Sequence, residues 1–410
     1  MSDQSPLRTV FMAATFILMG HDPASLAIDG TPTWLQSPVG TASGNATISS
    51  PSLAFDHHGT PAVSWSQFAG SQGDSVNRSE RSALGLWATN PISSGVARQT
   101  ALSFDRAERP TMVWIDGAAT VKAQFDDGTL QTIPSSNPNV MNPALSITHD
   151  LAGNLRGVFA GASPGDLFSI DGSGGTFSSA SIGSIPGVTA VSDLRLTTDD
   201  RGLGNLIVRA DLSAGGQGVI LASEPSFGGN WPSAVLATAD AVNGIGIATD
   251  PTDGGIALTY TTFNNTNNTS KLLFARFNGA SFDTTVVLSS TSAVFRDVSL
   301  AFDLSDGLPA IAFEQETFAP AAEELMFAFQ NAALTWQTSL VDDTISISNS
   351  QNTLRGPSLA FDDFSTSFPA IAYVDAGETL TVAFDPPGVP EPGTFCLLTC
   401  GFFLMARRRR

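Results

Sequence analysis

Two cysteines occur in the 410 residues, Cys396 and Cys400, both close to the C-terminal end. The rest of the chain has none, so neither disulfides nor a cysteine-ligated metal can hold it together, and stability must come from a buried core. At i and i+4 on one helix the two would stack in a geometry poor for a disulfide, and they read as small apolar residues. Basic residues are also few, 19 Lys and Arg against 38 Asp and Glu. Setting aside Arg8 and the four terminal arginines, and Asp3, Asp22 and Glu391, leaves 14 basic against 35 acidic residues, near −21. That excludes nucleic acid and anionic membrane surfaces as partners, which require clustered Lys and Arg. Of four histidines, His57 and His58 fall in a turn and His149 in a strand, so no Ser-His-Asp constellation forms. The two tyrosines, Tyr260 and Tyr373, occupy positions filled elsewhere by Trp or Phe and read as core aromatics. No Gly-rich phosphate loop joins a strand to a helix.

What the chain does have is repetition. Ser52-Leu53-Ala54-Phe55-Asp56 is followed by a short turn and Pro61-Ala62-Val63-Ser64-Trp65. The phrase returns at Leu102 to Asp105, Leu300 to Asp303 and Leu359 to Asp362, and more loosely before Asp150, Asp199 and Asp250. The seven aspartates, Asp56, Asp105, Asp150, Asp199, Asp250, Asp303 and Asp362, are 45 to 59 residues apart. Alternating apolar positions such as Leu53/Phe55 and Val63/Trp65 mark strands. A third strand reads Leu272 to Ala275 or Leu325 to Ala328, and a fourth pairs an aromatic with an aliphatic five residues on, as in Phe177/Ile182 and Trp336/Val341. A period near fifty with four short strands predicts an all-β, seven-bladed β-propeller of four-stranded blades. An open β-solenoid and a pair of sandwiches are the competing arrangements. The fourth strand of the first unit has no assignment.

The seventh unit stops after its third strand, at Asp385-Pro386-Pro387-Gly388. Its missing strand is found at the other end of the body, where Thr33-Trp34-Leu35-Gln36-Ser37-Pro38-Val39 mirrors Thr335 to Val341. The expectation is a ring over residues 28–388, closed by the N-terminal strand in the last blade, which removes an exposed sheet edge.

Both ends carry addresses. Arg8, the apolar run Val10 to Met19, and Ser25 and Ala27 form a signal peptide over residues 1–27, delivered through the Sec translocon. Residues 389–410 contain Pro390-Glu391-Pro392, an apolar segment to Ala406, and Arg407-Arg408-Arg409-Arg410. The prolines keep the motif extended, the segment is marginally long enough for a membrane helix, and four arginines stop transfer on the cytoplasmic side. This order resembles the PEP-CTERM sorting signal. The resemblance implies export, transient inner-membrane anchoring by a C-terminal membrane helix, processing by an exosortase-type enzyme, and a final place at the cell surface or outside the cell.

In the body, the repeated aspartates sit at the turn between first and second strands. Their reading is structural: each carboxylate tightens its own hairpin through backbone N–H groups. The opposite face carries long loops, Gln67 to Ser82, Thr261 to Ser270, Glu314 to Glu324 and Asp342 to Gly356. It forms a candidate binding rim of Asp116, Asp211, Glu314, Glu316 and Asp375, a donor set suited to Ca²⁺ or to sugar hydroxyls. No cofactor is otherwise implied. Ser169-Ile170-Asp171-Gly172-Ser173-Gly174-Gly175-Thr176-Phe177 resembles the Asp-box of sialidases, with one inserted residue and Phe for Trp. That box is structural, and the Tyr nucleophile such enzymes use has no counterpart outside the core. The expected function is a non-enzymatic surface or matrix protein that uses the propeller as a binding or structural scaffold, with an exopolysaccharide or other glycan as partner. A glycan-active hydrolase or lectin of sialidase-like type is the alternative.

Overall fold

The computed structural model describes residues 32–385, apart from 43–45, 70–73, 83, 96, 135–136, 141–142, 174, 227–229, 346–355 and 363–367. The signal peptide and the whole sorting segment, with Pro390, Glu391, Pro392, Arg407, Arg408, Arg409 and Arg410, lie outside the described residues. Among the described residues no helix is long and apolar enough to cross a membrane.

Seven antiparallel sheets of four strands form a β-propeller. Blade 1 runs Thr47–Phe55, Pro61–Phe68, Ser75–Arg81 and Trp87–Ser94 from the axis outward. Blade 7 takes Ser358–Phe361, Pro369–Val374 and Thr379–Phe384 from one end of the body and Leu35–Thr41 from the other. In that last pair Leu35 faces Phe384 and Ser37 faces Val382. The expected closure is therefore the observed one.

The fourth strands show why an aromatic and an aliphatic five apart recur. In a regular strand an odd spacing sends two side chains to opposite faces. Here the register shifts at the fifth residue: Ile92, Ile182, Leu236, Val287 and Val341 are each skipped by the pairing, as is Val39 in the closing strand. The extra residue is a β-bulge, and the pair still serves opposite faces: Phe177, Trp231, Phe282, Trp336 and Trp34 pack into the joint with the preceding blade, and Ile182, Leu236, Val287, Val341 and Val39 into the joint with the following one. Trp34, for example, meets Phe327 of blade 6 edge-on at 5.1 Å between centroids, while Val39 packs against blade 1. Trp87 and Ile92 supply the outer strand of blade 1, with the same spacing. Blade 2 alone has a very short outer strand, Leu130–Thr132.

The recurrent serine before Leu-Ala-Phe-Asp has a role between blades. An innermost strand leaves one edge of N–H groups unpaired beside the axis, a costly state when buried. The N–H groups of Leu53, Leu102, Leu196 and Leu359 donate to the hydroxyls of Ser358, Ser52, Ser146 and Ser299 in the preceding blade, at 2.9–3.1 Å. Apolar layers fill the space between blades. The last joint is typical: Val39, Leu380 and Val382 of blade 7 pack with Ile48, Leu53, Val63 and Trp65 of blade 1.

Candidate functional site

The turn aspartates act on their own hairpins. Asp56 Oδ1 accepts from the N–H groups of His58 and Thr60 at 2.9 and 2.7 Å. Asp105, Asp150 and Asp199 accept the same pair of N–H groups, two and four residues on. Asp250 and Asp303 close slightly longer turns, accepting from the N–H and hydroxyl of Thr252 and Ser305. Most of the turn after Asp362 lies outside the described residues, but its carboxylate is packed against Gly59, where an added Cβ would fall 2.6 Å from the oxygens. Burial pushes the Asp105 carboxyl up, but the N–H groups of Arg109 and Ala107 and the Arg109 guanidinium outweigh it and hold the group below its ordinary value.

The residues expected at the opposite rim are dispersed over blades 2, 4, 6 and 7. Asp116 and Asp375 close their second-to-third-strand turns as the repeated aspartates do, and Asp116 also pairs with Lys122 at 2.9 Å. Asp211 accepts from Gln217 Nε2 at 2.8 Å. The segment read as a loop over Glu314 to Glu324 is mostly strand, because alternation continues through Pro309–Phe318 and Ala321–Gln330. Glu314 is thereby buried, and Glu316 is held by the Arg296 guanidinium at 2.9 and 2.6 Å. Among the described residues no group of three or more His, Cys, Asp or Glu side chains is placed to hold a metal ion.

Sizeable cavities open on the other face, between the aspartate turns. One of about 710 Å³ lies between blades 3 and 4, lined by Asn154, Arg156, Asp171, Thr176, Phe177, Asp200 and Arg201. One of about 590 Å³ between blades 4 and 5 shares Asp200 and Arg201 and adds Asp253, Phe277, Asn278 and Phe282. A third of about 340 Å³ between blades 2 and 3 shares Leu155, Gly172 and Ser173 with the first and adds Arg109, Phe125, Asp126 and Asp127. The three form a continuous arc. Phe125 and Phe177 stack at 4.5 Å, bridging blades 2 and 3. Below the central cleft Arg156 is pinned between Glu224 at 2.5 Å and Asp171 at 3.3 Å, and Glu224 also accepts the Gly204 N–H. Arg201 is largely exposed, its guanidinium oriented by Asp199 at 2.9 and 2.6 Å. The Asp-box-like segment forms the third-to-fourth-strand hairpin of blade 3 and supplies the wall of two clefts.

The two tyrosines and His149 are held in the body of the fold. Tyr373 is fully buried and donates to Asp342 Oδ2 at 2.6 Å; burial and that carboxylate push its phenol far up. Burial likewise raises Tyr260. His149 Nδ1 lies 2.9 Å from the Ser103 hydroxyl, linking blades 2 and 3, and burial lowers its pKa to about 4, against the opposing pull of Asp105 and Asp150.

That depression has a consequence for stability. The folded protein holds the imidazole neutral, whereas the unfolded chain protonates it near its ordinary value of 6.5. The contribution is complete above pH 6.5 and is lost as pH falls towards 4. Its size is about 3 kcal/mol, since a tenfold change in proton affinity between the folded and unfolded chain is worth about 1.4 kcal/mol. Chemical denaturation across this range is expected to show His149→Gln losing about that much less stability than the native chain; parallel curves would contradict the assignment.

No family model matches the chain, and no curated protein matches it. Among solved structures, a protein of unknown function from Dyadobacter fermentans DSM 18053 aligns with a TM-score of 0.53 at 11% identity, covering 86% of this chain and 98% of the other. AofleA from Arthrobotrys oligospora aligns at 0.47 and 12%, covering 76% and 90%. The Hadza microbial sialidase Hz136 aligns at 0.45 and 11%, covering 82% and 65%. At these identities the likeness is one of fold.

Proposed function

We propose that this protein is an exported, non-enzymatic binding propeller, and that the arc of clefts across blades 2 to 5 is its binding surface for a neutral, hydroxyl-rich saccharide. The observation that carries this reading is the sharing of walls among three successive inter-blade cavities on one face. Each combines a guanidinium held by a carboxylate, exposed aspartates and phenyl rings. Fixed polar groups of both kinds match hydroxyls, which donate and accept, while rings cover the apolar faces of a sugar. The net charge of −19 weighs against a polyanionic ligand.

The terminal segments supply the location: Sec-dependent export, temporary anchoring in the inner membrane, recognition of Pro390-Glu391-Pro392 by an exosortase-type enzyme, and delivery to the cell surface or an exopolysaccharide matrix. Alanine at these three positions is expected to leave the full-length chain in the inner membrane; normal maturation would contradict the sorting role.

Binding is tested on a glycan array, followed by calorimetry on the saccharides retained. Asp200 is exposed and borders two clefts, and Phe277 is partly exposed in one of them. Asp200→Ala and Phe277→Ala are each expected to weaken binding about tenfold, equivalent to about 1.4 kcal/mol, with little change in melting temperature. Saturable binding untouched by either variant would move the site elsewhere. Turnover of the saccharide would replace the binding reading with that of a hydrolase.

A further inference from the structure

The strands of each blade run outward from the axis, so its first-to-second-strand turn lies near the axis and its third-to-fourth-strand turn at the periphery of the same face. Two concentric rows of turns result, and the three clefts lie between them. Asp150 to Asn154 and Asp200 to Gly202 stand in the inner row, Asp171 to Phe177 and Phe277 to Phe282 in the outer one. The space between the rows is a trough that follows the ring from blade 2 to blade 5.

A blade could partition this trough by raising a large side chain between its two turns. Blade 3 keeps the divide low. The residues common to the clefts on either side of it are Leu155, Gly172 and Ser173. Leu155 is buried, and Gly172 has no room for a side chain, since a Cβ there would fall 2.7 Å from the Phe177 ring. Ser173 is exposed but short. At blade 4 the divide consists of groups that can themselves bind. Asp200 and Arg201 are both exposed and line the clefts on both sides. Two separate ligands in those clefts would compete for one carboxylate and one guanidinium, whereas a single ligand crossing the divide meets them once.

Polar anchors recur along the trough at one-blade intervals. Arg109, Arg156 and Arg201 stand on blades 2, 3 and 4, each fixed by a carboxylate, at 2.6, 2.5 and 2.6 Å. A guanidinium held in this way has little freedom left to lose on binding and keeps N–H groups for other acceptors. Phenyl rings flank them, Phe125 towards one end and Phe277 towards the other. Each cleft alone has the volume of a small-molecule site, about 300–1,000 Å³, and the three are joined. Chemistry repeated at a regular interval in a continuous trough fits a ligand that itself repeats. Building on the saccharide reading above, we infer that the trough binds one linear polysaccharide chain along its length, with successive stretches of the chain filling successive clefts, rather than separate small sugars.

Cello-, laminari-, malto- and manno-oligosaccharides, each from the monosaccharide to the longest soluble member, test this by calorimetric titration into the purified protein, together with any saccharide the array retains. Affinity in the bound series is expected to rise by about 10²–10⁴-fold with length, the gain from linking sites within one ligand, at one long chain per protein. Asp126→Ala in the cleft between blades 2 and 3, and Phe277→Ala in that between blades 4 and 5, are each expected to weaken this single event about tenfold without changing its stoichiometry. Ser173→Trp raises a wall across the trough and is expected to remove at least about tenfold of the long-chain advantage. Affinity independent of length overturns the single-chain inference and leaves saccharide binding standing. So do several short ligands per protein, each lost only with the variant of its own cleft. The absence of binding at every length, in these series and on the array, overturns both. If Ser173→Trp fails to fold, the length series on the native chain and the two end variants decide the matter.

Discussion

Removal of residues 32–42, with the preceding segment retained, is expected to cost on the order of 5 kcal/mol or more and to make the chain self-associate. The strand Leu35–Thr41 contributes six paired positions with Thr379–Phe384. At about 1 kcal/mol net per hydrogen bond the lost ladder alone accounts for several kcal/mol. Val39 adds apolar burial, worth about 1.5–3 kcal/mol for a fully buried side chain, and the partly buried Trp34 adds a share of its own. The freed edge of Thr379–Phe384, TLTVAF, is short, β-prone and uncharged, which is the kind of edge that recruits another chain. Light scattering and thermal melting of the truncated protein, with and without a peptide of the missing strand, measure both effects. A truncated chain with unchanged melting and no added association would show that the ring does not depend on this joint.

Glu224→Ala is expected to destabilise the protein by about 3–5 kcal/mol, the cost of breaking a buried ion pair from one side. Glu224 is 4% exposed and serves both the Arg156 guanidinium and the Gly204 N–H. Its loss takes the 2.5 Å carboxylate from a buried guanidinium, and Asp171 is a weaker substitute, at 3.3 Å and on the partly exposed wall of the cleft. Replacing both partners, Arg156→Met with Glu224→Leu, is expected to recover most of the loss, because no buried charge then remains. Glu224→Gln should fall between the two, since it keeps an acceptor for Gly204. Urea unfolding of the four proteins measures these differences. A single variant within about 0.5 kcal/mol of the native chain, the range of ordinary surface substitutions, would show that the pair is not structural.

The ring was legible because each blade restates the same constraints. Pro61, Pro110, Pro309 and Pro369 all begin second strands, and the aspartate turns precede them. The missing fourth strand of blade 7 could be matched by sequence because Trp34 and Val39 keep the bulged spacing of Trp336 and Val341. Trp87 and Ile92 carry the same signal, and their strand could have been assigned on it. The function of the serines was hidden, since a side chain that caps a neighbouring blade leaves no periodicity within its own. The extent of the strands around Glu314 to Glu324 was obscured by charge: glutamates that would mark a loop elsewhere stand here at the solvent end of a hairpin, Glu316 opposite Glu323. The clefts were the least visible feature. Their lining comes from turns of separate blades, such as those holding Asp171, Asp200 and Asp253, which only the curvature of the ring assembles.

The central claim is that a saccharide occupies the clefts between blades on the aspartate-turn face. Hydrogen–deuterium exchange of the protein with and without a saccharide selected on the array tests it most directly. Protection is expected in the segments around Asn154 to Arg156, Asp171 to Phe177, Asp200 to Gly202 and Phe277 to Phe282. Protection confined to the opposite turns, around Asp116, Asp211 and Asp375, would contradict it.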